Sequence, residues 1–365
     1  AHTCAWHRSL SLGRVRTPTL NMVVQRDLAI ESHKPTPFWR LIVPMDGWTL
    51  ESGKIEDQVM ARRILADAMG LPAEILEVRR RREHAKPPTL FDLTGLQKAM
   101  SERHGLTAEQ TLDCLQHLYE MKVATYPRTD SKYITHDDVD GLKELLQPKY
   151  ALGFLDQKPV EAVHDLYSAG GFDPMRCVED DKVQGHTAIL PTRRLTYDVF
   201  QHDLTDMERE VIAVILTRMW SACATDRVHD TVKVEAVLDE RHADGSMERV
   251  PLSASSDVTV EAGWTAIEGT SRTDDAEKKP VNRIPDSLGK GPLPQSGAPS
   301  LTEGVSSPPK PFTEATLLSA MEHDALTEPH YLPLRVNRSG DLSGSIHGYC
   351  ILICNHFFRF LYMFF

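Results

Sequence analysis

Residues 124–131 read ATYPRTDS, and Tyr126 is the reactive candidate among them. A phenol with a reference pKa of about 10 is a poor nucleophile unless a cation or base favours the phenolate. Arg128 lies two residues on. If Tyr126–Thr129 is extended, both side chains project to one side, and the guanidinium reaches the phosphate that the phenol attacks. Thr129, Asp130 and Ser131 add short polar groups in a turn suited to close approach of a sugar-phosphate backbone. The same residues equally fit a strand-end tyrosine packed by its ring, with an ordinary turn after it. Spacing alone does not decide between the two.

Working outward, the segment before the octet reads as two helices. Leu93, Leu96 and Met100 share a face over 92–104, and Gly105 is placed to end that helix. Thr107 and Gln110 then have capping-box spacing, and Leu112, Leu115, Leu118 and Tyr119 make a buried stripe through Lys122. Two helices joined by a short glycine-containing turn resemble a helix-turn-helix unit. After the octet a helix restarts near Thr135, with Val139, Leu142, Leu145 and Leu146 facing inward. Farther out, 18–31 is close to helical spacing, with Pro18 in its first turn. RLIVPM and WTLES are strand-like and flank a helix near 57–68. Met207, Val211, Val214, Ile215 and Met219 mark a helix over 204–224, and the alternation in 231–238 marks a strand. From about 268 to 311 Ser, Pro, Gly and charge dominate, which reads as linker or loops. FTEATLLSAMEH returns to a helical pattern.

The chain has 365 residues, enough for two or three domains, and 41% hydrophobic with 25% charged residues excludes wholesale disorder. A net charge of -11 gives no global support for nucleic-acid binding, but phosphate is bound by local patches. Arg8, Arg14, Arg16, Arg26, Lys34 and Arg40 cluster early, and Arg79 to Arg82 form a second basic run. The six cysteines include no CxxC pair, so neither a zinc site nor a disulfide framework is expected, in keeping with a reducing cytosol. The apolar stretch 350–365 carries Asn355, His356 and Arg359. It is too short and interrupted for a bilayer span and reads as a truncated or misread terminus.

Four segments together resemble the type IA DNA topoisomerases, closest to the bacterial topoisomerase III branch. KPPTLFDLTGLQKAM with ATYPRTDSKYIT is similar to the family's active-site region. SLGRVRTPTLNMVVQRD resembles its Ser-x-Gly-Arg-Val-Gln-Thr-Pro segment, which lies along the bound strand. GHTAILPT resembles the segment bearing a histidine near the scissile phosphate, here His186. PPKPFTEATLLSAME resembles the late helix that rejoins the DNA-binding domain. The resemblance implies an ATP-independent isomerase that cuts single-stranded DNA through a 5′-phosphotyrosine, passes a strand and reseals the break. Tyr126 would be the nucleophile and Arg128 the stabiliser of phosphoryl charge. Ser11, Leu12, Gly13, Arg14, Val15, Arg16, Thr129, Asp130, Ser131 and His186 would contact DNA. Arg16 stands where the family usually has glutamine, which adds charge and removes an acceptor.

The resemblance also implies an α+β multidomain, torus-like fold. A helical DNA-gripping domain would take residues 1–36 and 300–335. A β-rich hinge domain would take 37–84 and 197–299, and a mainly helical tyrosine-bearing domain 85–196, leaving 336–365 as an atypical tail. Family members begin with a Toprim domain whose acidic cluster binds magnesium. No Asp-x-Asp-x-Glu run occurs here, so Mg2+ is expected for the full-length enzyme with its ligands outside this chain, and the chain reads as a fragment. A fragment lacking that half is expected to bind single strands weakly and to relax no supercoils. The expected partners are single-stranded DNA and the Toprim domain in cis, with no membrane, a monomeric state, and a cytoplasmic, nucleoid-associated or plasmid-borne setting. The alternatives are a non-catalytic single-stranded DNA binding module, a tyrosine recombinase and a helix-turn-helix transcription factor. A tyrosine this early, with its arginine just after it, argues against the recombinase.

Overall fold

The computed structural model describes residues 2–3, 9–10, 15–241, 247–269 and 282–326. In chain order, β1 (His2–Thr3) and β2 (Ser9–Leu10) form a short antiparallel pair, followed by α1 (Arg16–Glu31). Next come β3 (Pro37–Met45), β4 (Trp48–Ser52), α2 (Gln58–Ala68) and β5 (Ala73–Ala85). Helices α3 (Leu93–His104), α4 (Ala108–Glu120), α5 (Val139–Leu145), α6 (Gln157–Ser168) and α7 (Asp206–Cys223) follow. The chain then forms β6 (Arg227–Arg241), β7 (Met247–Glu261), α8 (Thr265–Glu268), β8 (Gly291–Leu293), β9 (Ser300–Val305) and α9 (Glu314–Leu326).

These elements fall into two compact units. The first takes the described residues within Ala1–His33, Leu93–His117 and Pro308–Phe365, and the second those within Lys34–Asp92 and Leu118–Ser307. In the first, α3 packs on α9, and Lys98 Nζ reaches the Glu322 carboxylate at 2.5 Å. Arg26 lies over the Phe312 ring at 3.9 Å and donates to the Lys310 carbonyl at 2.8 Å, which ties α1 to the approach of α9. Gly105, at φ 67, ends α3 as its left-handed conformation allows. Thr107 and Gln110 then exchange the bonds of a capping box, at 2.9 and 3.1 Å. The Glu314 carboxylate adds a 2.7 Å bond from the Ala108 N–H, an anion at the positive end of α4.

The second unit is built on a seven-stranded antiparallel sheet in the order β8-β5-β6-β7-β4-β3-β9. Alternate residues of β3 and β4 are buried, as period-2 patterning requires for a half-covered sheet. Leu41, Val43, Leu50, Ile75, Val234, Leu238 and Leu252 meet Ile64 and Ala68 of α2 in one core. Asp57 caps α2, accepting from the Val59 and Met60 N–H groups.

The reading of 268–311 as linker or loops is corrected over its described part. Residues 300–305 pair with β3 from Pro37↔Val305 to Ile42↔Ser300, and 291–293 pair with the start of β5. Main-chain pairing is available to almost any side chain, and Leu301 of β9 packs partly buried against the core. The atypical tail 336–365 lies outside the described residues. None of the described helices is long and apolar enough to cross a membrane. The basic run on β5 is partly neutralised: Arg82 pairs with Asp230 at 2.8 Å and Arg79 with Glu77 at 2.6 Å.

α7 is apolar nearly all round and correspondingly buried, with Trp220 fully enclosed and edge-on to Phe172 at 4.9 Å. Its last residue, Cys223, lies 3.6 Å, sulfur to sulfur, from Cys177, although 46 residues separate them. Both are free thiols in the interior. The hydrogen bond they share, then burial, pushes the Cys223 thiol well above its ordinary value. A raised thiol pKa favours the neutral form in the fold. Its contribution is complete below the ordinary thiol value and fades as pH rises through the folded one. Iodoacetamide at neutral pH is therefore expected to modify half-exposed Cys114 ahead of Cys177 and Cys223, which react only on unfolding; equal labelling of all three in the native protein would contradict this.

Candidate active site

The ATYPRTDS loop leaves α4 through a sharp reversal. The Lys122 N–H bonds the Tyr119 carbonyl at 2.8 Å, and the Val123 and Ala124 N–H groups converge on the Leu118 carbonyl at 2.9 and 3.3 Å. Lys122 has φ 64, the one positive value at a non-glycine among the described residues. An L-residue in this left-handed region gives up about 1–2 kcal/mol. Lys122→Gly is thus expected to raise stability by about 1 kcal/mol, read from the midpoint of urea unfolding. An unchanged or lower midpoint would show that the reversal is not strained.

Beyond the reversal, the loop is clamped by residues 185–192. The Thr125 N–H bonds the Leu190 carbonyl at 2.9 Å, its hydroxyl bonds the Ala188 carbonyl at 3.0 Å, and the Thr192 N–H bonds the Val123 carbonyl at 2.9 Å. Ala188 returns a bond to the Tyr133 carbonyl at 2.9 Å. The clamp is itself held from behind, since the Ile189 N–H bonds the Phe91 carbonyl at 2.8 Å. Arg218 of α7 lies over the Phe91 ring at 4.2 Å and pairs with Glu268 at 2.9 Å. A continuous set of contacts therefore runs from the buried helix to the loop.

Four of the expected site residues, Tyr126, Thr129, Ser131 and His186, meet in this arrangement. The half-buried Tyr126 ring stacks on His186, with centroids 4.1 Å apart and planes 28° from parallel. The Thr129 hydroxyl donates to the His186 carbonyl at 3.2 Å and accepts the Ser131 N–H at 3.1 Å. The Ser131 hydroxyl donates to the Tyr133 carbonyl at 3.1 Å. Thr129 and Ser131 are both buried, so their hydroxyls bond main-chain groups, Thr129 that of His186 and Ser131 that of Tyr133. Arg128 and Asp130 are exposed. The extended run assumed for Tyr126–Thr129 is not found: the chain bends at Pro127 and Arg128, drawn by the proline ring and the Thr129 bond. Lys132 pairs with the largely buried Asp92 at 3.4 Å, fixing the far side of the loop.

Tyr119 also departs from expectation. It was read as part of the buried stripe of α4, yet it is 40% exposed and meets Tyr126 edge to face, at 5.6 Å and 85°. Leu115 and Leu118 are the enclosed members of that stripe. Val15 and Arg16 are exposed at the start of α1, in the other unit, while Ser11, Leu12, Gly13 and Arg14 lie outside the described residues.

This geometry coincides with a family assignment, because a model of the DNA topoisomerase family matches residues 2–329. The chain belongs to the type IA DNA topoisomerases, in their topoisomerase III branch. DNA topoisomerase 3 of Bacillus subtilis (strain 168) is 30% identical over 332 residues, covering 88% of this chain and 43% of that protein. DNA topoisomerase 3 of Shouchella clausii is 32% identical over 336 residues, 89% of this chain and 43% of the relative. This type IA chain thus spans less than half the length of the curated relatives it matches. Full-length topoisomerase I from Thermotoga maritima superimposes with a TM-score of 0.62 at 19% identity, over 87% of this chain and 49% of that one. The mixed helical and antiparallel-sheet architecture is accordingly that of a type IA topoisomerase. The described residues include no group of three or more His, Cys, Asp or Glu side chains able to hold a metal. They do not fit a magnesium site.

Proposed function

We propose that the chain carries the strand-breaking half of a topoisomerase III-like reaction, with Tyr126 as nucleophile. Its phenolic oxygen attacks a phosphate of single-stranded DNA. The new bond joins tyrosine oxygen to phosphorus, the bond from phosphorus to the 3′ oxygen breaks, and the proton lost by the phenol balances the one gained by the 3′ hydroxyl. The 5′-phosphotyrosine keeps the phosphodiester's energy, so resealing needs no nucleotide. Arg128, exposed two residues on, stabilises charge on the phosphoryl oxygens. The observation that carries this reading is the Tyr126–His186 stack at 4.1 Å on a loop whose buried threonine bonds the histidine's own carbonyl. His186 holds the ring and offers an imidazole to the phosphate, and Thr129 and Ser131 hold the loop in shape.

The proposal extends to the single-strand path along Ser11–Arg16. It also covers a torus in which 1–36 with 300–335 grips DNA, 37–84 with 197–299 forms the hinge, and 85–196 carries the tyrosine.

A test that does not depend on a proton donor uses a single-stranded oligonucleotide whose leaving 3′ oxygen is replaced by sulfur. A thiolate departs without protonation. The expected result is a detergent-stable adduct mapped to Tyr126 by mass spectrometry and lost in Tyr126→Phe. Oligonucleotide retained with no adduct would instead make the chain a binding module.

A further inference from the structure

Tyr126 is touched by a second aromatic ring that the proposed chemistry does not use. Tyr119 sits on the last turn of α4, where Leu115 and Leu118 already supply the core contacts and are fully buried. Tyr119 itself is 40% exposed and adds little to that core. The reversal at Lys122 folds the chain back so that Tyr126, seven residues later, meets Tyr119 edge to face at 5.6 Å and 85°. With His186 stacked at 4.1 Å and 28°, the Tyr126 ring is held by one parallel and one perpendicular neighbour. A stack alone leaves a ring free to slide and to turn in its own plane. A second ring set at right angles removes that freedom and fixes where the phenolic oxygen points.

We propose that Tyr119 is a positioning residue for the nucleophile, orienting the Tyr126 ring so that its oxygen faces the incoming phosphate. The inference rests on the reading of Tyr126 as nucleophile. The contact is between rings, so phenylalanine suffices at 119, whereas leucine does not. Edge-to-face pairs of this kind shift an equilibrium about two- to twelvefold, and misplaced reacting atoms lose rate in proportion.

The full chain is prepared with 3-fluorotyrosine at position 126, in the parent and in Tyr119→Phe and Tyr119→Leu, and adduct formation is followed on the sulfur-bridged oligonucleotide. In Tyr119→Leu the fluorine resonance is expected to move towards that of free fluorotyrosine. Adduct formation should slow about two- to twelvefold, with oligonucleotide affinity unchanged and the folding equilibrium weakened by no more than that same factor. Tyr119→Phe should restore both readouts, which a merely structural role at an exposed position would not require. An unchanged fluorine signal and adduct rate in Tyr119→Leu would overturn the proposal while leaving the nucleophile reading intact. Absence of adduct from the parent itself would overturn both.

Discussion

Gly263→Ala is expected to destabilise the protein by about 3 kcal/mol or more. Gly263 has φ 51, and a Cβ there would lie 2.2 Å from the Asp226 carbonyl oxygen and 2.6 Å from that of Thr225. Both obstacles are backbone, so no rotamer change relieves them. The residues involved lead into β6, and Trp264 beside the glycine bonds the Thr225 carbonyl through its main chain at 3.0 Å. Its indole N–H bonds the Ala85 carbonyl at the end of β5, also at 3.0 Å. Displacing this corner therefore disturbs the ends of β5, β6 and β7 together. Gly47 provides the control. At φ 79 it has nothing within 4 Å of a Cβ, so Gly47→Ala carries conformational strain alone, about 1 kcal/mol. Urea unfolding of the two variants separates clash from strain, and equal losses would refute the steric account.

The elements that sequence patterning located are those whose local signals and tertiary burial agree. The alternation of RLIVPM and WTLES became buried alternation in β3 and β4. Thr107 and Gln110 made the box their spacing announced, and Val139, Leu142, Leu145 and Leu146 all turned inward. What was missed depends on partners far along the chain. β9 joins the sheet because β3 offers it main-chain groups, a fact its Ser- and Gly-containing composition conceals. Cys177 and Cys223 meet only because the turn at 174–177 folds onto the end of α7.

At the site, the resemblance singled out Tyr126 and His186, and neither periodicity nor spacing would have stacked them. Thr129 and Ser131 were read as groups for a sugar-phosphate backbone because short polar residues in a turn suit that task. Their burial turned them inward to hold the loop. Tyr119 fell on the apolar stripe by helical spacing, but the helix ends at Glu120, so its ring lies past the core and against Tyr126.

Arg128→Ala is expected to slow adduct formation on the sulfur-bridged oligonucleotide by about 10²–10³-fold, the usual loss when one preorganised donor to a developing oxyanion is removed. In the proposed attack by Tyr126, negative charge builds on the non-bridging phosphoryl oxygens. Of the cationic side chains in the loop, Lys132 is already paired with Asp92 at 3.4 Å, which leaves Arg128 as the exposed guanidinium two residues from Tyr126. Replacing oxygen by sulfur in the leaving group relieves the need for a proton there but leaves the charge on the phosphoryl oxygens in place. The sulfur substrate should therefore rescue a defect in proton donation and fail to rescue Arg128→Ala. Arg128→Lys restores the charge without the two-pronged geometry of a guanidinium and should fall between. Because the side chain is exposed, thermal stability should stay within about 0.5 kcal/mol of the parent in both variants, so the rate reports chemistry rather than folding. An Arg128→Ala variant that forms adduct at the parental rate would remove the guanidinium from the reaction and leave Tyr126 to be activated by His186 or by a group outside the described residues.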